Sequence, residues 1–174
     1  MRKSTIIIVI LLAGARDPAF SQGIDMQKAR DIYLMQAEKG CPVDKSIQKL
    51  EKVKNLKPAF LAYYGVFIAM QAECTGNPAK KLEYFKNGKD NIEKAIMIDE
   101  QSFDARFARF TLQDNIPGFL GYDNMEEDAR FLLRYYHQVD RFMEISPFFS
   151  KAAKILVDSG YYTQKDEDFL REFF

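Results

Sequence analysis

Met35-Gln36-Ala37-Glu38-Lys39-Gly40-Cys41-Pro42 and Met70-Gln71-Ala72-Glu73-Cys74-Thr75-Gly76-Asn77-Pro78 are the segments whose reading decides the fold. Met-Gln-Ala-Glu occurs twice, 35 residues apart, and each copy runs into a cysteine flanked by glycine and proline. Glycine closes a helix because it accepts backbone angles that other residues resist. Proline bars continuation because it lacks the amide hydrogen and clashes with the preceding turn. A segment that returns after 35 residues with the same punctuation reads as a repeated helix-turn-helix unit.

Working outward, the chain reads as all-α, with about 7–8 helices after an N-terminal leader. Sustained period-2 alternation is lacking, and Gly and Pro fall mostly between apolar-periodic segments. The first helix is expected over 24–39, with Ile24, Ala29, Ile32 and Tyr33 inward and Met35–Gln36 bracketing that face. A second covers about 44–56, with Asp44 as N-cap and Ile47, Leu50 and Val53 as its stripe. Pro58 opens a third, strongly apolar helix through Ala72, in which Gly65 signals close approach of a neighbour. Asn77-Pro78 starts a fourth, running to about Asp99 with Leu82, Phe85, Ile92, Ala95 and Ile96 inward. A fifth spans about 102–114. Asn124-Met125-Glu126-Glu127 has the capping-box pattern and begins a long helix to about Ile145 with Phe131, Leu132, Tyr135, Val139 and Phe142 inward. Ser146-Pro147 caps another to Ser159, ended by Gly160, and Thr163 begins a short last one. There Phe169, Leu170, Phe173 and Phe174 need burial, which a cap over the final repeat or a partner interface would supply.

The amino terminus carries an address. Arg2 and Lys3 precede Ile6–Ala15, an unbroken apolar run that ends at Arg16-Asp17-Pro18. A membrane-spanning helix needs about 20 apolar residues, so this run is too short to cross but suits the core of a secretory signal peptide. Small residues place cleavage after Ser21, giving residues 1–21 as signal peptide and 22–174 as a single domain. Cleavage after Ala15 is the competing site. The mature chain then carries 22 basic and 24 acidic residues, a balance that offers no electrostatic footprint for nucleic acid. Hydrophobic residues make up 47% and aromatics 14%, enough apolar surface to exclude disorder. The expectation is an exported protein, periplasmic or secreted, without a transmembrane segment after signal removal.

A family resemblance is clearest over about 58–112. Ala95-Ile96-Met97-Ile98-Asp99 resembles the close of a tetratricopeptide repeat, with Glu100 standing where that family has proline. Ser102-Phe103-Asp104-Ala105-Arg106 resembles the opening of the next repeat. The resemblance implies a right-handed stack of antiparallel helical hairpins, TPR-like but degenerate. The whole chain is similar to small exported helical proteins of Bacteroidetes-type bacteria, which implies a fold and a habitat. In such a stack equivalent helices lie side by side, so their ends are neighbours. Cys41 and Cys74 could then be joined by a disulfide stapling the first two repeats, a bond that export would favour. Two free, half-buried thiols are the alternative.

Catalytic chemistry is thin. His137 is the chain's single histidine. It lacks a nucleophile signature or an i+4 histidine partner, so neither general-base nor zinc chemistry is indicated. Acidic residues at 123–128 suit the first turn of a helix. No cofactor is expected, since phosphate-loop, dinucleotide and calcium-loop patterns are absent. Two features remain. Arg106, Arg109 and Gln113 share a helix face, where they would bind a carboxylate, a peptide C-terminus or an acidic partner. Pairing with the acids at 123–128 is the alternative. The apolar loop Asn115–Tyr122, with Phe119 and Tyr122, is either tucked beneath its hairpin or offered to a ligand. The expected function is non-catalytic, a module that holds a protein or peptide partner. The alternatives are a carrier for a small apolar ligand, or an enzyme whose active site is not recognised.

Overall fold

Pro58–Met70, designated α3, is buried on every side. Ten of its residues, from Ala59 to Phe67 and Ala69, are shielded from solvent. A helix apolar all round cannot lie on a surface, so α3 becomes the axis on which the two helices before it and the two after it pack. The computed structural model describes residues 24–138 and 146–174. Besides α3 they form α1 (Met26–Lys39), α2 (Asp44–Glu51), α4 (Pro78–Ile98), α5 (Phe103–Asp114), α6 (Met125–Gln138), α7 (Pro147–Asp158) and α8 (Gln164–Leu170). Short 3-10 turns cover Gly118–Leu120 and Arg171–Phe173. Among the described residues the architecture is all-α. The signal-peptide segment 1–21, and Val139 and Phe142 at the end of the expected long helix, lie outside the described residues.

Most helix boundaries follow local chemistry. Asp25, Asn77, Ser102 and Thr163 cap α1, α4, α5 and α8 by accepting hydrogen bonds from backbone N–H groups in the first turn. Ser146 stands at the N-cap of α7 but makes no side-chain capping hydrogen bond, and both boundaries of α2 differ from expectation. Helix α2 is preceded by Val43 rather than capped by Asp44, which instead lies in its first turn. It also stops at Glu51 instead of reaching 56, and Lys57 is extended. Pro58 is the physical reason for that extended residue, because its ring disfavours helical angles at the residue before it.

Helices α3 and α4 form the most extensive pair, followed by α5 with α6, while α5 also packs on both α3 and α4. The α3–α4 contact runs through glycine. A Cβ added to Gly65 would lie 2.7 Å from the Gly88 carbonyl oxygen, and one added to Gly88 would lie 2.5 Å from that of Gly65. Gly65 thus meets its expected neighbour at a close backbone approach, and Gly88, within a polar stretch, is the partner that sequence periodicity hides.

The chain closes on itself. Helix α7 packs against α1, and its Phe148 meets Phe103 and Phe107 of α5 edge-on. The same ring lies 4.6 Å beneath the Arg30 guanidinium of α1. The centre is aromatic: Tyr33 stacks on Tyr63 at 4.4 Å and on Phe67 at 6.2 Å. The carboxy-terminal segment caps α7, with Leu170 and Phe173 buried; Phe174, expected to bury, is 48% exposed. Cys41 and Cys74 form a disulfide, with Cα atoms 5.6 Å apart, that joins the ends of α1 and α3.

Candidate functional site

Two polar clusters and one apolar pocket lie among the packed helices. The first cluster gathers the arginines singled out by spacing. Arg109 holds Asp128 in a bidentate pair, Nε to Oδ2 and Nη2 to Oδ1, both at 2.7 Å. Its Nη1 reaches Glu93 Oε2 at 3.0 Å, and its Nη2 reaches Glu127 Oε2 at 3.3 Å. Arg106 pairs with Glu127 and, at 3.2 Å, with Asp128. Gln113 Nε2 approaches Asp128 at 3.4 Å, and Tyr122 donates its hydroxyl hydrogen to Glu93 Oε1 at 2.6 Å.

Asp128 has no exposed surface, and Arg106, Arg109, Gln113 and Tyr122 are all buried. Burial works against the Arg109 charge, but hydrogen bonding and attraction to Asp128, supported by Glu93, hold its pKa above the ordinary value. Burial likewise raises the Asp128 carboxyl, while Arg109 and Arg106 pull it back down. The Glu127 carboxyl is lowered, chiefly by its hydrogen bond from Arg106. The charged groups pair with one another between α5, α6 and Glu93 of α4, while Gln113 Oε1 is buried without a hydrogen-bond partner among the described residues. Of the two readings of the arginine face, the structure shows pairing with the acids at 123–128. The arginines do not line an open groove that could receive a partner's carboxylate.

A second cluster was not visible in the sequence. Arg30 of α1 forms a bidentate pair with Asp104 of α5, at 2.8 and 2.9 Å. Tyr63 of α3 donates to the same carboxylate at 2.5 Å. Burial, then the Asp104 charge, push the Tyr63 hydroxyl well above its usual range. Arg30 and Asp104 are 74 residues apart, and no local pattern connects them. Their role is to hold α1, α3 and α5 together beneath the α7 aromatics.

The pocket lies at the other end of these helices. It is a partly open space of about 640 Å³ between the carboxy-terminal ends of α1, α3 and α5, the first turns of α4 and the 115–120 loop. Val66, Phe85, Leu112, Ile116 and Leu120 give it apolar walls, and Leu82 and Pro78 of α4 stand at its mouth. Leu82, expected in the core, is instead 45% exposed there. The Asn115–Tyr122 loop therefore divides its roles. Tyr122 is tucked in, edge-on to Phe85, whereas Ile116, Pro117 and Leu120 face the pocket. The Phe119 side chain lies outside the described residues. Gly40 and Glu73, the immediate neighbours of the two disulfide cysteines, also line the space.

Ligand pockets characteristically span about 300–1,000 Å³, with apolar walls and a few polar groups. His137, by contrast, stacks on Phe169 with ring centroids 3.9 Å apart, at a distance in sequence from every pocket residue. Among the described residues no group of three or more His, Cys, Asp or Glu side chains is placed to hold a metal ion, and no helix is long and apolar enough to cross a membrane. No protein-family model matches the chain, and no match to it was found among curated proteins or among solved structures. Function must therefore be read from the residues themselves.

Proposed function

We propose that this is an exported, non-catalytic binding protein on a degenerate tetratricopeptide-like helical scaffold, and that it carries an apolar ligand in the pocket between α1, α3, α4 and α5. The observation that carries the reading is the pocket itself: about 640 Å³ with apolar walls that the described residues leave unfilled. A concave, partly open space of this size with mainly apolar walls matches the character of small-molecule sites. The groove expected for an extended peptide is less well supported. Its arginines are committed to internal acids, and α7 fills the inner face beside α1 and α5. Export is supported by the signal-like amino terminus and by the Cys41–Cys74 bond, since disulfides persist in oxidising compartments.

A docking module for a protein or peptide is the second reading, favoured by Leu82 and Pro117, which continue the apolar lining out to the surface. Titration with the fluorophore 1-anilinonaphthalene-8-sulfonate, followed by displacement with alkyl chains of increasing length, tests the proposal. Saturable binding at one site, abolished by Leu82→Asp in a folded protein, is the expected result. Probe binding that Leu82→Asp leaves unchanged would contradict it.

A further inference from the structure

We propose that the pocket's ligand is an amphiphile with a zwitterionic head, its alkyl or acyl body within the apolar walls and its two head charges at the rim. The inference rests on the binding function above and specifies the ligand. It follows from sorting the polar side chains of the lining. The Tyr33 hydroxyl is hydrogen-bonded to that of Thr111, and Asn115 Nδ2 donates to the Thr111 carbonyl at 2.8 Å. These bonds engage both hydroxyls and the Asn115 amide nitrogen within the chain.

Two charged residues remain, Glu73 and Lys81, one of each sign. They lie either side of the connection from α3 to α4, both solvent-exposed. Among the described residues neither forms an ion pair with the other or with any further group. The buried charges elsewhere are matched in the Arg30–Asp104 and Arg109–Asp128 pairs, and what distinguishes Glu73 and Lys81 from other exposed charges is their place in the pocket lining. The pocket rim therefore offers one uncommitted cation and one uncommitted anion. A purely anionic head would meet Lys81 against the field of Glu73, and a purely cationic head would meet the reverse. A head with both charges opposes each to its complement. The apolar body supplies most of the affinity, because area removed from water drives burial. The exposed charges set preference, and pairs of this kind discriminate by about two- to fivefold.

Calorimetric titration of the oxidised protein with three dodecyl amphiphiles below their micellar concentrations tests this: dodecylphosphocholine, dodecanoate and dodecyltrimethylammonium. Dodecylphosphocholine is expected to bind tightest, by about two- to fivefold. Glu73→Gln should weaken it and strengthen dodecanoate; Lys81→Gln should weaken it and strengthen dodecyltrimethylammonium. Both positions are exposed, and unchanged circular dichroism would verify that the variants fold. Equal affinity for all three heads, or tightest binding of dodecanoate with no response to either substitution, overturns the zwitterionic assignment and leaves the binding function standing. Failure of all three to bind overturns the binding function, and the assignment with it.

Discussion

Asp128 of α6 is wholly buried against α5, where its carboxylate is divided between two arginines. Removing one member of such a buried pair strands the others in a medium that solvates them poorly. Asp128→Ala should therefore cost about 3–5 kcal/mol, measured as a lower urea midpoint at unchanged slope. A loss below about 1 kcal/mol, the scale of an exposed ion pair, would show that Arg109 is solvated rather than held. The same scale shows what sequence can reveal. Spacing correctly placed Arg106, Arg109 and Gln113 on one face and put acids within reach at 123–128. It could not say whether that face turns outward to a ligand or inward to its neighbour, because this depends on how α5 meets α6 and on Glu93 from a third helix. Arg30 and Asp104 were beyond reach for a plainer reason: their partnership exists only once α1 and α5 have met.

At the scale of elements, the α3–α4 pair depends on two glycines facing each other. Gly65→Ala or Gly88→Ala would press a methyl group into the opposing carbonyl, forcing the helices apart at a cost of about 1–3 kcal/mol. Chemical denaturation of the single variants measures it. An alanine gain, as expected at an unobstructed helical glycine, would mean that the helices do not approach so closely. Gly65 announced itself because it interrupts an apolar helix. Gly88 did not, since Lys86-Asn87-Gly88-Lys89-Asp90 reads as a solvated stretch. Helix existence was legible along the described residues and so were the caps at Asn77 and Thr163, because capping residues and prolines act locally; Asp44 and Ser146 carry cap chemistry without making the capping bond. The fate of Leu82 was not: it keeps the helical spacing of its core neighbours, yet the first turns of α4 extend past them to form the pocket mouth.

For the whole molecule, closure comes from α7 returning to α1 and from the Cys41–Cys74 bond between the ends of α1 and α3. With 33 residues separating the cysteines, the bond should contribute about 3–4 kcal/mol by restricting the unfolded chain. The Cys41→Ser/Cys74→Ser double variant should melt at lower temperature by calorimetry; an unchanged melting temperature would contradict the bond's structural role. The variant should also bind apolar probes more weakly, because Gly40 and Glu73 beside the cysteines line the pocket. The repeated Met-Gln-Ala-Glu segments foreshadowed this junction. Buried Gln36 of the first copy completes it by accepting from Ser46 at 2.7 Å, fastening α1 to α2. The most direct test of a ligand-carrying pocket is a methyl-resolved NMR titration with dodecylphosphocholine. Saturable shifts confined to Val66, Leu82, Leu112, Ile116 and Leu120 are predicted. Shifts spread over the surface, or no shifts at those five residues, would contradict the account.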